Sequence, residues 1–575
     1  MSTFLGLQVP EPLLVVLDDT EPCPDLAGLR GDVVRLSELT GEKVRKGQAS
    51  VLLITADRAS LRRIVALLPR MGQVRVAAAW LHADSTPVVV RPRPEWPPLT
   101  AAVARTVDSP GGVLSVLRFD APVPAHRVLT QIAYEAAPTP TGHGGVVVGY
   151  LDRAPVAGLD VSAPILRSEA DAGSQERDVP PDVVLADAAV DLPVHHVTDR
   201  APVLVAAPAC EPVDEFVFNP MGWRKTWQQG DIDASALSAG GRLRTDELAR
   251  AREHRAVRVR LGQTPTATVA ALAMSGVPLL AEGADPALSP AVSAALAVPV
   301  DVSDPLAREE HSLRVRRAGL QTHSTLAFRE EMARRAGVRF VGAPSVSVLL
   351  PTMRPDQLDF ALRQVARQDT EVELVLATHG FRADEAVVRD ALGGKPYRLL
   401  DFSADTFFGD VLDSAARAAS GDVLLKMDDD DWYSPRVVRD LMLARRYSGA
   451  DVVGMPSEFV YLAARGTTVR RNHPSELFNR FVAGGTIFID RAALSAVGGF
   501  RRVRRFVDAQ LLDAVLAGGG RIYRAHGLGY VLRRNASGHT WNADDEAFRR
   551  PEITEAEWDG FRPSAELEPA QEDLP

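Results

Sequence analysis

Short runs of Val, Leu and Ala alternate with stretches of helical spacing along the first part of the chain. Residues 13–17, 51–55, 74–79 and 113–117 read as buried strands, and 60–68 repeats its apolar positions at the helical interval. This βαβ rhythm predicts a parallel, doubly wound sheet. Between 139 and 200 the text turns rich in Pro, Asp and Gly and loses periodicity, which predicts a linker and irregular connection. A second α/β stretch covers 202–341, with strands at 203–206 and 257–261 and an Arg/Glu-rich helical part at 306–336.

A third unit starts sharply at Pro344. Ser345-Val-Ser-Val-Leu-Leu-Pro-Thr352 is an apolar strand ending in Pro-Thr, and Leu358, Ala361, Leu362 and Val365 then recur at helix spacing. The next strand is 372–377. Val411, Leu412, Ala415, Ala416 and Ala419 form an amphipathic helix that stops at Gly421. Strand 422–427 follows and delivers Asp428-Asp429-Asp430-Asp431 at its C-terminal end, where open α/β sheets bind ligands.

Composition narrows the classes. The 575 residues are 46% apolar and 24% charged, an ordinary multi-domain globular chain. Two cysteines, Cys23 and Cys210, exclude a disulfide framework and a four-thiolate zinc site. No apolar run approaches the roughly 18 residues of a spanning helix, and the first residues lack the order of a secretory signal. A soluble cytoplasmic protein is expected. With 65 Lys+Arg against 75 Asp+Glu the net charge is -10, so no nucleic-acid partner is expected and any anion site must be a local patch.

Adjacent carboxylates raise one another's pKa and stay ionised together only beside a cation or solvent. Here an apolar strand precedes the four aspartates and Trp432-Tyr433-Ser434-Pro435 follows, so the cluster is expected to be fixed at a sheet edge rather than left on an exposed turn. Hard oxygen ligands in such a place suit Mg²⁺ or Mn²⁺, with phosphate oxygens completing the shell.

The strand 345–352 and Ala419-Ser-Gly-Asp-Val-Leu-Leu-Lys-Met-Asp-Asp-Asp-Asp-Trp432 together resemble the GT-A core of family 2 glycosyltransferases, over 344–541. The resemblance implies a nucleotide-diphosphate sugar donor, held by Pro351, Thr352, Asp428, Asp429 and Arg505. It implies Mn²⁺ or Mg²⁺ on Asp430 directly, with Asp428 meeting the ribose or the metal through water, and His539 as a further ligand where it is not a packing residue. In the family the base that deprotonates the acceptor hydroxyl is an Asp at a helix start after Gly-Gly-Phe. Here Val497-Gly-Gly-Phe500 leads to Asp508, whose other reading is a helix N-cap. Val507 stands where the family usually has Glu. Gly484 and Gly485 resemble the acceptor-side loop and read equally as a tight turn. Trp432 and Asp431 are assigned to the acceptor side, and Trp541 to sugar stacking or to core. Arg501, Arg502, Arg504 and Arg505 form a basic patch suited either to a diphosphate or phosphorylated acceptor or to a solvated loop.

Two departures concern the donor. The family's Asp-Asp-Gly-Ser after the second strand is Ala377-Thr378-His379-Gly380 here, which removes the acid that contacts the nucleobase, and Leu412-Asp413 replaces its Arg-Asn. Ala270-Ala-Leu-Ala-Met-Ser-Gly-Val-Pro-Leu-Leu-Ala-Glu282 resembles a second-domain segment of GT-B glycosyltransferases.

The expected architecture is α/β and multi-domain: two Rossmann-like units, 1–200 with its linker and 201–342, then a GT-A domain at 343–545 and an acidic tail at 546–575, disordered from 565. The expected function is metal-dependent, inverting sugar transfer to a glycan or lipid-linked acceptor in cell-surface glycan or glycoconjugate synthesis, with peripheral association at the inner membrane face. The alternatives are a non-catalytic nucleotide-sugar or glycan-binding scaffold and a sugar-phosphate nucleotidyltransferase. The latter's glycine-rich loop is absent from Pro351-Thr-Met-Arg-Pro355.

Overall fold

In the computed structural model, the period-two alternation of the early strands sorts their side chains onto two faces of one sheet. Leu14, Val16, Leu53, Ala77 and Ala79 pack with the helix residues Leu61, Ile64, Val128 and Ile132. Leu13, Val15, Leu52, Ile54 and Trp80 gather on the other face. The spatial order is Asp32–Arg35, Leu13–Leu17, Ser50–Thr55, Gln73–Leu81, Val113–Pro124 and Leu99–Thr106. The first four strands run parallel. Strand Val113–Pro124 is antiparallel to both its neighbours, so the expected parallel sheet ends in an antiparallel pair. The short connection from Thr106 to Val113 leaves no room for the crossover that a parallel pair needs.

The structure describes residues 2–4, 7–17, 31–35, 38, 48–67, 72–83, 88, 90, 96–107, 111–136, 148–151, 165–166, 183–186, 203–206, 210, 212–213, 222–237, 243–336, 344–517, 520–535 and 545–575. The stretch expected to be linker contains strands Val148–Leu151, Ile165–Leu166 and Val183–Ala186, which pair in parallel with one another and with Val203–Ala206. Strands of two to four residues between long Pro- and Asp-rich segments are too short to register as periodicity.

The chain divides into two compact units, residues 1–214 with 241–247 and 331–340, and residues 215–240 with 248–330 and 341–575. In the second, a three-stranded parallel sheet (Ile232–Asp233, Val257–Leu261, Leu279–Gly283) carries helices Thr266–Met274 and Pro290–Ala297. The expected helical stretch 306–336 is two helices, Pro305–Thr322 and Thr325–Ala336. Asp304 caps the first by accepting from the Leu306 N–H, with Pro305 at its opening position.

Helix Pro305–Thr322 is charged on every side yet buried, because its charged side chains find ion-pair or hydrogen-bond partners, which for Arg308 are backbone carbonyls. Arg317 forks onto Asp440 at 2.7 and 2.8 Å and reaches Glu566, Arg316 pairs with Glu476 at 2.5 Å, and Glu309 accepts from Arg470 at 2.8 Å.

The same unit holds an eight-stranded sheet in the order Tyr397–Phe402, Glu373–His379, Val346–Thr352, Val423–Lys426, Phe488–Asp490, Val452–Gly454, Ile522–Arg524, Leu477–Phe478. A five-stranded sheet runs Trp432–Tyr433, Tyr530–Arg534, Phe459–Leu462, Thr467–Arg471, Thr554–Asp559. In the acidic tail Thr554–Asp559 forms the edge of this sheet, and the stretch from 565 expected to be disordered is ordered, with Leu567 and Asp573 buried. Its acids find cationic partners, Glu566 with Arg314 and Arg317, Glu568 with Arg436, and Asp573 with Arg363. Charge density marks disorder only when the charges lack such partners. Among the described residues no helix is long and apolar enough to cross a membrane.

Candidate active site

Strands Glu373–His379, Val346–Thr352 and Val423–Lys426 run parallel, so their C-terminal ends emerge at one edge. Pro351 and Thr352 end the middle strand, and the four aspartates follow the third. All three strands are buried along nearly their whole length, which holds the edge rigid.

Each aspartate has a different environment. Asp428 accepts a hydrogen bond from Lys426 Nζ at 2.6 Å, while its backbone N–H donates to the Tyr433 hydroxyl. Asp429 accepts from Thr352 Oγ1 at 2.5 Å and from the guanidinium of Arg354. Burial pushes its pKa up, against the pull of Arg354. Asp430 accepts from Arg354 Nη1 at 2.7 Å and from Asn535 Nδ2 at 3.1 Å. Asp431 is buried, with one oxygen taken by the Tyr530 hydroxyl at 2.6 Å and the other by the Arg533 N–H at 2.8 Å. Burial, reinforced by Asp430 and Asp428, raises its pKa well above the usual carboxylate range. Asp431 therefore stitches the strand end to the five-stranded sheet.

Asp508 lies in the first turn of helix Val507–Ala517. Its Oδ2 is 3.3 Å from Lys426 Nζ, and its Oδ1 is buried with no hydrogen-bond partner among the described residues. Burial raises the Asp508 pKa, Lys426 opposes the rise and Asp428 adds to it. For Lys426, burial lowers the pKa, but Asp428 and Asp508 outweigh it and the ammonium stays protonated. Lys426 thus ties two carboxylates that stand 80 positions apart in the chain.

The Gly484–Thr486 turn fits between these carboxylates. A Cβ at position 484 would stand 2.2 Å from Asp508 Oδ2, and one at 485 would stand 2.7 Å from the Tyr433 hydroxyl and 2.9 Å from Asp428 Oδ2. Only glycine permits this approach. The Gly485 carbonyl in turn accepts from the Tyr433 hydroxyl at 2.9 Å.

Pro351, Thr352, Asp428, Asp429, Asp430, Asp508, Gly484 and Gly485 thus belong to one connected network. Trp432 is fully buried, its indole N–H donating to the Asp573 carbonyl and its ring packed on Phe360, Tyr461 and Phe561. Arg505 is exposed on the surface, and its neighbours Arg502 and Arg504 stack on Phe407. His539 and Trp541 lie outside the described residues. Sequence reading missed Arg354, Lys426, Tyr433, Tyr530 and Asn535. Lys426 carried a signal, since a lysine ending an otherwise apolar strand must meet a counter-charge.

The donor set fits a hard divalent cation of the kind held by one or two carboxylates plus phosphate oxygens and water. Asp428 Oδ2 and Asp430 Oδ1 accept no hydrogen bond among the described residues, while their other oxygens are engaged. Among the described residues no group of three or more His, Cys, Asp or Glu is arranged to hold a metal without such added ligands.

No protein-family model and no curated protein matches the chain. Among solved structures it is similar to the mannosyltransferase PcManGT from Pyrobaculum calidifontis in complex with GDP-Man and Mn²⁺, at 15% identity and a TM-score of 0.27, covering 34% of this chain and 59% of that one. It is also similar to residues 1–349 of TarS from S. aureus in complex with UDP-GlcNAc, at 16% identity and a TM-score of 0.28, covering 36% of this chain and 63% of that one. The chain spans less than two thirds of the length of either. A likeness of this size carries no functional weight, which rests instead on the chain's own residues.

Proposed function

We propose that the protein is a metal-dependent glycosyltransferase with a GT-A catalytic region, moving a sugar from a nucleotide-diphosphate donor to an acceptor hydroxyl with inversion. The observation that carries this reading is the Gly484–Gly485 turn seated between Asp508 and Asp428, with Lys426 bridging both acids at the C-terminal edge of parallel strands. The attacking hydroxyl oxygen forms a bond to the anomeric carbon as the bond from that carbon to the diphosphate oxygen breaks. Asp508 takes the hydroxyl proton at Oδ1, the oxygen with no hydrogen-bond partner among the described residues. Lys426 holds Oδ2 and opposes the rise in pKa that burial imposes on Asp508. Gly484 and Gly485 let the acceptor approach the backbone, while Asp431 and Trp432 serve the acceptor side by holding the edge in place. Asp428 and Asp430 would hold Mn²⁺ or Mg²⁺, which when bound offsets the charge developing on the departing diphosphate. Thr352 and Asp429 frame the donor pocket, with Arg505 as a cation for the diphosphate. The acceptor is a glycan or a lipid-linked glycan met at the inner membrane face.

A screen of nucleotide sugars with and without Mn²⁺, read by thermal shift and by sugar transfer, tests this. One donor is expected to give a Mn²⁺-dependent shift and turnover, with turnover lost in Asp508→Asn and Asp430→Ala variants that still fold. No shift with any donor would sink the reading. The clamp of Arg354 on Asp429 and Asp430 favours a second reading, a nucleotide-sugar-binding scaffold without turnover. A donor that binds but is never transferred would select it.

A further inference from the structure

Three of the seven large apolar side chains that stand exposed among the described residues neighbour the proposed site in the chain. Met353 lies between Thr352 and Arg354, Phe481 precedes Gly484 by three positions, and Phe506, the most exposed at 67%, precedes Asp508 by two. The segments that carry the carboxylates and the glycine turn thus each leave an apolar side chain in water beside them.

Phe506 is held there against its backbone preference. Its φ is 61°, in the left-handed region that a bulky side chain rarely enters. Such strain persists only where the surroundings fix it. Here the loop before Phe506 packs on the opening turn of helix Phe408–Ala418: the Gly409 N–H donates to the Val503 carbonyl at 3.0 Å, and a Cβ at position 409 would collide with the Arg501 carbonyl. Arg502 and Arg504 lie over the Phe407 ring, 4.8 and 4.4 Å from its centre, and Arg502 meets Asp410 at 3.3 Å. Arg501 and Arg505 enter no ion pair among the described residues, and all four arginines are exposed. The loop is therefore a fixed basic surface that ends in an outward Phe, on a chain whose net charge is -10.

We propose that residues 501–506 seat the chain on an anionic lipid bilayer, with the arginines on headgroup phosphates and Phe506 in the apolar layer below. The inference rests on the sugar-transfer reading, because it sets the proposed base at the surface that would carry a lipid-linked acceptor. Guanidinium forks match phosphate oxygens, and each basic residue near an anionic leaflet adds to the attraction. The exposed apolar side chains favour a bilayer over a soluble acidic partner, since only the bilayer offers an apolar layer beneath its charges.

The test is cosedimentation of the full chain with vesicles of phosphatidylcholine alone and of equimolar phosphatidylcholine and phosphatidylglycerol, without donor or metal. Association with the mixed vesicles only, weakened by added KCl, is expected. Arg501→Gln is expected to weaken it about fivefold. Phe506→Asn, a change that suits left-handed backbone, is expected to weaken it about tenfold with no fall in the melting midpoint. Vesicle binding is read without turnover, so a failure here leaves sugar transfer standing, and a chain without transfer activity can still bind. No association with the mixed vesicles, association unaltered in both variants, or association with polyglutamate in place of vesicles would overturn the proposal.

Discussion

Lys426 Nζ stands 3.3 Å from Oδ2 of Asp508, at the meeting point of a central strand and the first turn of a helix near the end of the chain. The same nitrogen lies 2.6 Å from Asp428. One buried cation therefore bridges the proposed base and the proposed metal-binding acid, and it opposes the rise in pKa that burial imposes on Asp508. Lys426→Met removes the bridge and leaves two carboxylates facing each other. The expected cost is about 3 to 5 kcal/mol of stability and about a hundredfold in turnover. Denaturant unfolding and a transfer assay measure the two losses separately. A variant with full activity would remove Lys426 from the site.

Gly485→Ala places a methyl group against the Tyr433 hydroxyl and Asp428. Overpacking of this kind costs about 1 to 3 kcal/mol. The displaced carboxylate is expected to cost activity well beyond that, so turnover should fall at least about tenfold in protein that remains folded at the assay temperature. Circular dichroism melting run beside the assay makes the comparison, and normal turnover would show that the close approach has no catalytic role.

Arg354 compensates Asp429 and Asp430. Its replacement by Met leaves both acids without their cation, with an expected loss of about 3 to 5 kcal/mol. Added Mn²⁺ should restore part of that loss, because the acids then take the ion in place of the guanidinium. Melting curves with and without Mn²⁺ decide the matter, and an identical loss in both would count against a cation on these carboxylates.

Glu373 joins neighbouring elements by accepting from Ser347 Oγ at 2.5 Å, the Ser420 N–H at 2.7 Å and Arg398 Nε at 2.9 Å. Burial raises its pKa, but these donors outweigh burial and bring it down to about 2. The folded value lies below the unfolded one near 4.5, so the contribution to stability is complete above 4.5 and is lost as pH falls towards 2. Glu373→Gln is expected to be less stable by about 1 to 3 kcal/mol at neutral pH and to show a flatter stability curve between those two values. Equilibrium unfolding as a function of pH reads both effects.

Asp573 accepts from Arg363 and Gln364 through its side chain and from Trp432 through its carbonyl. Asp573→Ala strands the buried Gln364 amide and takes a partner from the half-exposed Arg363, and a loss of about 1 to 2 kcal/mol is expected. Truncation before Ser564 goes further and should also shift tryptophan emission to the red as Trp432 meets water.

The strands of the site were legible because apolar runs and their stopping residues are local signals. The same holds for the acidic cluster, for Asp508 and for the paired glycines. The partners were not legible. Arg354 was in plain view in Pro351-Thr-Met-Arg-Pro355, but its contact with Asp429 depends on two parallel strands lying side by side. Trp432 beside acids reads equally as ligand surface or core, and only the packing of Phe360, Tyr461 and Phe561 around it decides. In the first unit the short strands between 148 and 186 escaped because residues far apart in the chain complete their sheet.

Helix Pro305–Thr322 gives its arginines and glutamates to Asp440, Arg470, Glu476, Ser564 and Glu566. A fragment beginning at Pro344 would retain every element that reads as catalytic, yet would lose the helix's guanidinium partners of Asp440, Glu476 and Glu566 and the carboxylate partners that Glu309 and Glu310 give to Arg470 and Ser564. It is expected to aggregate, whereas one beginning near Gly222 should fold. The smallest autonomous piece of this enzyme candidate is thus defined by where its ion pairs close, far upstream of where its sequence motif begins.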